Sequence, residues 1–162
     1  MPLTLRALAP TDRPLLERVL RSDDTFREAE VAVALELIDD ALSKDDSDYW
    51  FTVAVDEGGA GADGVAGYIC YGPTPMTDAS YDLYWIVVHR EARGRGVAGA
   101  LIAAMERDLA GRGARGVRIE TSHLESYGAA RRVYERHGYQ EVGRIEDFYR
   151  PGDALVTFYR RL

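Results

Sequence analysis

Apolar and polar positions alternate at the start of the chain. Leu3-Thr4-Leu5-Arg6-Ala7-Leu8 has the period of two that marks a half-buried strand. The period then lengthens: Leu15, Leu16, Val19 and Leu20 fall at helical spacing behind Thr11, a residue able to cap the helix, with Pro14 tolerated in its first turn. Thr25 and Glu28 carry the capping-box spacing ahead of a second helix, whose buried face reads Val31, Ala34, Leu35, Ile38, Ala41 and Leu42. The acidic run Asp45-Asp46-Ser47-Asp48 ends it. Three apolar runs follow, at 50–55, 65–71 and 81–88, parted by Gly58-Gly59-Ala60-Gly61 and by Gly72-Pro73-Thr74-Pro75. These read as strands, and the short connections favour an antiparallel meander.

Beyond a second glycine cluster, Val97, Leu101, Ala104, Met105, Asp108 and Leu109 recur at three and four, predicting a long helix to about residue 112. A strand over 116–121 comes next, then a helix over 126–137 with Ala130, Val133, Tyr134 and His137 on one side and Gly138 as its stop. Two closing strands, 140–149 and 154–160, are joined by the turn Arg150-Pro151-Gly152-Asp153. The predicted order is β-α-α-β-β-β-α-β-α-β-β. It implies an α/β (α+β) fold with a mixed, mostly antiparallel sheet of about seven strands and helices on both faces. No repeat, linker or low-complexity segment interrupts it, so residues 1–162 read as a single domain.

Composition narrows the function. The net charge of −7 argues against phosphate-backbone binding as the main task, so no nucleic-acid partner is expected. Cys70 is the one cysteine, so no internal disulfide can form, and His89, His123 and His137 do not share a metal-ligand spacing with it. No metal is expected. No apolar run approaches the ~20 residues of a bilayer span, and the start of the chain lacks a basic region followed by an apolar core. The expectation is a cytoplasmic protein without a membrane partner.

The most informative stretch is Arg93-Gly94-Arg95-Gly96-Val97-Ala98-Gly99, between the 81–88 strand and the long helix. It contains no Ser, Thr, Asp or Asn to cap the helix, so the first backbone N–H groups and the positive end of the helix dipole are left for an outside acceptor. A phosphate suits them, with Arg93 and Arg95 supplying charge. Gly94-x-Gly96-x-x-Gly99 also fits the dinucleotide-binding fingerprint, with Glu120 near the place of its ribose-binding acid. In that fold the glycines follow the strand at once. Here His89 to Arg93 intervene, the preceding strands read as antiparallel, and too little chain follows for a doubly wound sheet.

Arg93-x-x-Gly96-x-Ala98 fits the pattern Arg/Gln-x-x-Gly-x-Gly/Ala. Through it the chain resembles the GCN5-related N-acetyltransferase (GNAT) superfamily, over roughly residues 3–161. The resemblance implies that residues 93–99 hold the pyrophosphate of acetyl-CoA as cosubstrate, and that the strand residues Ile86, Val87 and Val88 pair with its pantetheine arm. A second family motif is Ala130-x-x-x-Tyr134-x-x-x-Gly138-Tyr139. The family often has Asn three residues before that Ala, where this chain has Tyr127; Ser126 or the Tyr127 hydroxyl could stand in for its contact to the arm.

The reaction implied is direct attack of a primary amine on the thioester in a ternary complex. The departing thiolate needs a proton, which assigns Tyr134 as acid: a phenol of pKa ~10 facing a thiol of pKa ~8.5, workable only with help from geometry and surroundings. The ammonium must lose a proton, and Glu120 is the candidate base. Ile119-Glu120-Thr121-Ser122 resembles the base-bearing segment of the ribosomal-protein alanine acetyltransferase branch, and Asp147-Phe148-Tyr149-Arg150-Pro151-Gly152-Asp153-Ala154 resembles a segment bordering that branch's acceptor site. Asp82 and His123 are weaker candidates for proton transfer. Phe148 and Tyr149 read as simple packing or as an aromatic wall for an acceptor, and Asp23, Asp24 and Asp45 to Asp48 as a solvated loop or as an acidic flank suited to a cation. The acceptor, a small-molecule amine or a peptide N-terminus, is not fixed by sequence, and a homodimer is compatible with it. The competing reading is a non-catalytic acetyl-CoA-binding or sensing domain.

Overall fold

A computed structural model describes residues 2–162. The strands are β1 (Leu3–Ala7), β2 (Trp50–Asp56), β3 (Val65–Pro73), β4 (Ser80–Val88), β5 (Gly116–Ser122), β6 (Gln140–Arg150) and β7 (Asp153–Arg161). The helices are α1 (Arg13–Leu20), α2 (Glu28–Ser43), α3 (Val97–Gly111) and α4 (Gly128–Arg136). All seven strands form one sheet in the order β1-β2-β3-β4-β5-β7-β6. Neighbours are antiparallel except β4 and β5, so the chain crosses over once, through α3, to give a parallel pair.

Each face of the sheet carries its own core. Leu16, Val19 and Leu20 of α1 and Val31, Ala34 and Ile38 of α2 pack with Val53, Tyr68, Cys70 and Val87 on one side. Leu101, Ile102, Met105 and Leu109 of α3 and Tyr134 of α4 pack with Ile69, Leu83, Val117, Ile119 and Phe158 on the other. Each fully buried aliphatic side chain of this kind contributes on the order of 1.5–3 kcal/mol.

Local chemistry moves two helix starts away from the sequence pattern. Thr11 does not cap α1; it lies within a 3-10 turn, Pro10–Asp12, and Asp12 accepts hydrogen bonds from the Ala9 N–H (2.8 Å) and from Arg6. Nor do Thr25 and Glu28 form a capping box. The Thr25 N–H is taken by Asp23, and α2 begins later, where Glu30 accepts from the Arg27 N–H at 3.2 Å.

The feature that makes a site is a break between the two parallel strands. β4 pairs with β5 only from Ser80↔Gly116 to Leu83↔Ile119, although it stays paired with β3 as far as Val88. At that point β4 holds one extra residue: Trp85 faces Cys70 and Leu83 faces Tyr71, leaving Tyr84 between them. Such a bulge bends a strand and re-aims its side chains. Tyr84 and Trp85 accordingly both pack on the α1–α2 face. Past the bulge β4 and β5 diverge, and the sheet opens into a cleft.

Candidate active site

The cleft has a volume of about 830 Å³ and is lined from both faces of the sheet. Its backbone contribution comes from β4. The His89 N–H donates to Ala66 of β3 at 2.8 Å, so by antiparallel alternation Val87 also turns its polar backbone groups to β3 while Ile86 and Val88 turn theirs to the open side. Of the three expected arm-facing residues, Ile86 and Val88 therefore present backbone to the cleft; Val87 is committed to β3, with its side chain in the α1–α2 core. The Arg93 Nε donates to the Val88 carbonyl at 3.3 Å.

The glycine loop closes one end. Gly96 sits at the N-cap of α3 with φ +79° and no side-chain cap, which leaves the first N–H groups of α3 without protein acceptors; Val97, Ala98 and Gly99 line the cleft. Gly94 has φ +75°. A Cβ at either glycine would meet nothing within 4 Å, so conformation, not crowding by the protein, is what requires glycine there. The two arginines diverge. Arg93 lines the cleft and is tied to Asp23 at 2.5 Å, which pins the loop before α2 to the glycine loop. Arg95 does not line it; its guanidinium reaches away to the buried Asp56 at 3.0 Å.

Tyr134 is 4% exposed, packed edge-on to Tyr139 and Phe158 at 6.3 and 5.9 Å between centroids, and lines the cleft. Its hydroxyl makes no hydrogen bond among the described residues, and burial pushes its pKa well above the usual value for tyrosine. It therefore stays protonated across the range in which an enzyme works. Glu120 lies on β5, where Val117 and Ile119 belong to the α3–α4 core; alternation turns Glu120 to the opposite face. Its side chain is 45% exposed and lies 3.4 Å from Arg118. Tyr134 and Glu120 thus enter one cleft from the two sides of the sheet.

The remaining sequence candidates separate. Asp82 is buried and bound to Arg118 (2.7 Å) and Thr74 (2.9 Å), away from the cleft lining. His123 faces Arg144 at 3.0 Å, also outside it. Tyr149 lines the cleft; Phe148, its edge-on neighbour, is 53% exposed and does not. The acidity of the cleft does not come from Asp45 to Asp48 or Asp24, none of which lines it, and Asp23 is spent on Arg93. It comes from Glu30, Glu120 and Asp153. The Tyr127 hydroxyl donates to Glu30 at 3.1 Å, bridging α2 to the turn before α4, while Ser126 lines the cleft beside it. Asp153 is held by Ser122 (2.5 Å) and Arg150 (3.0 Å).

Comparison with known proteins agrees with this architecture. The Acetyltransferase (GNAT) domain profile matches residues 46–141, more than half of the chain. The chain belongs to the GNAT acetyltransferase family. A solved GNAT-family protein from Desulfovibrio desulfuricans is 36% identical over 99% of both chains, with a TM-score of 0.88. Two more distant structures share the fold. The ribosomal-protein-S18-alanine N-acetyltransferase of Escherichia coli is 18% identical over 99% of this chain and 94% of its own, TM-score 0.76. Arabidopsis thaliana NAA60, solved with acetyl-CoA, is 18% identical over 99% of each chain, TM-score 0.77. No sequence among the curated proteins matches significantly. Among the described residues no helix is long and apolar enough to cross a membrane.

For a GNAT acetyltransferase, Phe26, Glu30 and Trp85 are among the lining residues that the sequence alone did not single out, whereas Asp153 lies in the segment read as bordering the acceptor site. Phe26 and Glu30 read as parts of a helix start, and Trp85 as one more apolar strand residue. Only the bulge at Tyr84 turns Trp85 toward Phe26, at 5.2 Å between ring centroids.

Proposed function

We propose that this acetyltransferase takes acetyl-CoA as cosubstrate and transfers its acetyl group to a primary amine by direct attack in a ternary complex. The observation that carries this reading is the opening of β4 from β5, which gathers an unpaired strand edge, an uncapped helix N-terminus, Tyr134 and Glu120 around one cleft. The residues fit the cosubstrate by their chemistry. N–H groups at Val97 to Gly99 suit a pyrophosphate, with Gly94, Gly96 and Arg93 shaping the loop. Ile86 and Val88 offer the amide arm a strand edge to pair with. Arg95 acts from outside, holding the loop through Asp56.

Acetyl-CoA supplies a thioester that an amine can attack and a thiolate that leaves. Glu120 takes one proton from the incoming ammonium, directly or through a water, so that a lone pair becomes available. Tyr134 donates its hydroxyl hydrogen toward the departing sulfur. Its raised pKa makes a free tyrosinate uphill, so passage of its hydrogen to the sulfur is coupled to its replacement by the proton that the acylated nitrogen sheds, and CoA leaves as the thiol. Donor and acceptor then meet from opposite faces: the cosubstrate from the α3–α4 side, the amine from the α1–α2 side. One relative is named as an alanine N-acetyltransferase and another was solved with acetyl-CoA, which supports the same chemistry here, on a small-molecule amine or a peptide N-terminus. We infer that the reaction takes place in the cytoplasm, where acetyl-CoA is available as cosubstrate.

The test is turnover. Acetyl-CoA mixed with a panel of amines should give free thiol at a rate that depends on the amine. Binding of CoA without thiol release across a broad panel would favour a sensing domain instead.

A further inference from the structure

The acceptor mouth of the cleft has a composition that goes beyond the need to bind an amine. Aromatic rings line it, among them Phe26, Trp85, Tyr127 and Tyr149. Phe26 stands edge-on to both Trp85 and Tyr127, at 5.2 and 6.2 Å. Three carboxylates share the same walls, Glu30, Glu120 and Asp153, while the arginines nearest to them, Arg27, Arg118 and Arg150, do not line the cleft. Arg27 lies 3.6 Å from Glu30 and Arg118 lies 3.4 Å from Glu120, both longer than an ordinary N–H···O bond. Tyr127 holds Glu30 across the opening by its 3.1 Å hydrogen bond. Burial, and then the charges of Glu120, Asp153 and Glu30 together, push the Tyr149 hydroxyl pKa upward, as expected of carboxylates gathered round one point.

A proton count separates the duties of these groups. An acceptor ammonium that reacts must hand its proton to Glu120, which removes one positive and one negative charge at a stroke. Glu30 accepts from the Tyr127 hydroxyl and the Arg27 N–H, but with the Arg27 guanidinium no nearer than 3.6 Å it lacks a close ion pair beside the aromatic faces, where a carboxylate without one is costly. A monocationic acceptor would leave it so at the moment of reaction. A second cation on the acceptor would not, and aromatic faces add a further attraction for it.

Building on the transferase reading above, we infer that the acceptor is a small organic dication: a primary amine for acetylation, with a second ammonium or guanidinium group held by Glu30 and the rings of Phe26, Trp85 and Tyr149. Glu30 is then the residue that sets specificity, and Tyr127 its positioning partner.

The experiment compares kcat/KM by thiol release for 1,4-diaminobutane, n-butylamine, 4-aminobutanoate and a tripeptide amine with neutral side chains. It is run on the wild type and on Glu30→Gln, with CoA binding measured alongside. The diamine should exceed n-butylamine by about tenfold or more, equal to about 1.4 kcal/mol at the transition state. The aminocarboxylate should be the poorest, and Glu30→Gln should collapse the diamine-to-butylamine ratio towards one. A ratio near one in the wild type, a ratio unchanged by Glu30→Gln, or preference for the tripeptide would overturn the dication while leaving amine acetylation standing. CoA binding with no thiol from any amine would overturn both.

Discussion

Replacing Tyr134 with Phe removes one oxygen from the site and almost nothing from the fold. The ring packs against Tyr139 and Phe158, and Phe keeps both contacts. The hydroxyl has no hydrogen-bond partner among the described residues, so no protein donor or acceptor is orphaned by its loss. The stability change should stay within about 1 kcal/mol, which for a chain of this size moves Tm by roughly 2–4 °C at most. The catalytic change is of another order. A positioned proton donor contributes about 10²–10⁴-fold, so kcat should fall by about 3–5 kcal/mol in barrier while CoA affinity changes little. The raised pKa gives a second signature: the tyrosine does not ionise below its ordinary pKa of about 10, so the wild type should show no loss of kcat through pH 8–9 that Tyr134→Phe abolishes. Steady-state kinetics, a CoA titration and a thermal melt on the same preparation separate these effects. An unchanged kcat would remove Tyr134 from the chemistry, and a kcat loss matched by lost CoA affinity would make it a binding residue.

Three other perturbations follow from different parts of the structure. Glu120→Gln should cost activity at neutral pH and regain part of it in alkali, where the amine deprotonates unaided; full activity at neutral pH would reject Glu120 as base. Gly96→Leu forces a side chain to φ +79°, so Tm should drop by a few degrees for about 1–2 kcal/mol of strain, and CoA affinity should fall at least about tenfold; unchanged affinity would detach the loop from the cosubstrate. Asp12 is 1% exposed and, although burial alone would raise its pKa, the hydrogen bonds from Arg6 and the Ala9 N–H and the charge of Arg6 lower it. A carboxylate depressed on folding contributes stability above its unfolded pKa, near 4, and loses it as pH falls through the lower folded value. Asp12→Ala should therefore destabilise by about 2 kcal/mol at pH 7, towards the low end for a buried pair because Arg6 reaches solvent, and should differ less from the wild type below about pH 3. Urea melts at both pH values check this.

The periodic segments were legible because burial imposes period on them. α3 shows its face through Leu101, Met105 and Leu109 in both sequence and structure. The uncapped start of α3 could be read from what residues 93–99 lack. Helix starts were less legible, since nearby carboxylates reshape the chain ahead of α1 and α2: Asp12 takes the Ala9 N–H and Asp23 takes the Thr25 N–H. The acceptor mouth was least legible of all. Its members come from α2, β4, β5, the turn before α4 and the β6–β7 hairpin, and no spacing along the chain reports that Glu30 and Tyr127, 97 positions apart, touch. Charge density is no guide either: Asp45 to Asp48 are dense in sequence yet do not line the cleft, as suits a solvated loop, whereas its three carboxylates lie far apart in sequence. The single extra residue in β4 that opens the sheet leaves no mark of its own, because Tyr84 and Trp85 simply extend an apolar run.

The proposed mechanism requires that one cleft bring the thioester between Tyr134 and Glu120. A crystal structure of the protein with CoA tests it most directly. The arm should lie along the Ile86–Val88 edge, the pyrophosphate on the N–H groups of Val97 to Gly99, and the thiol sulfur within hydrogen-bond reach of the Tyr134 hydroxyl, with Glu120 on the far side. CoA bound elsewhere, or bound there with its sulfur turned away from Tyr134, would contradict it.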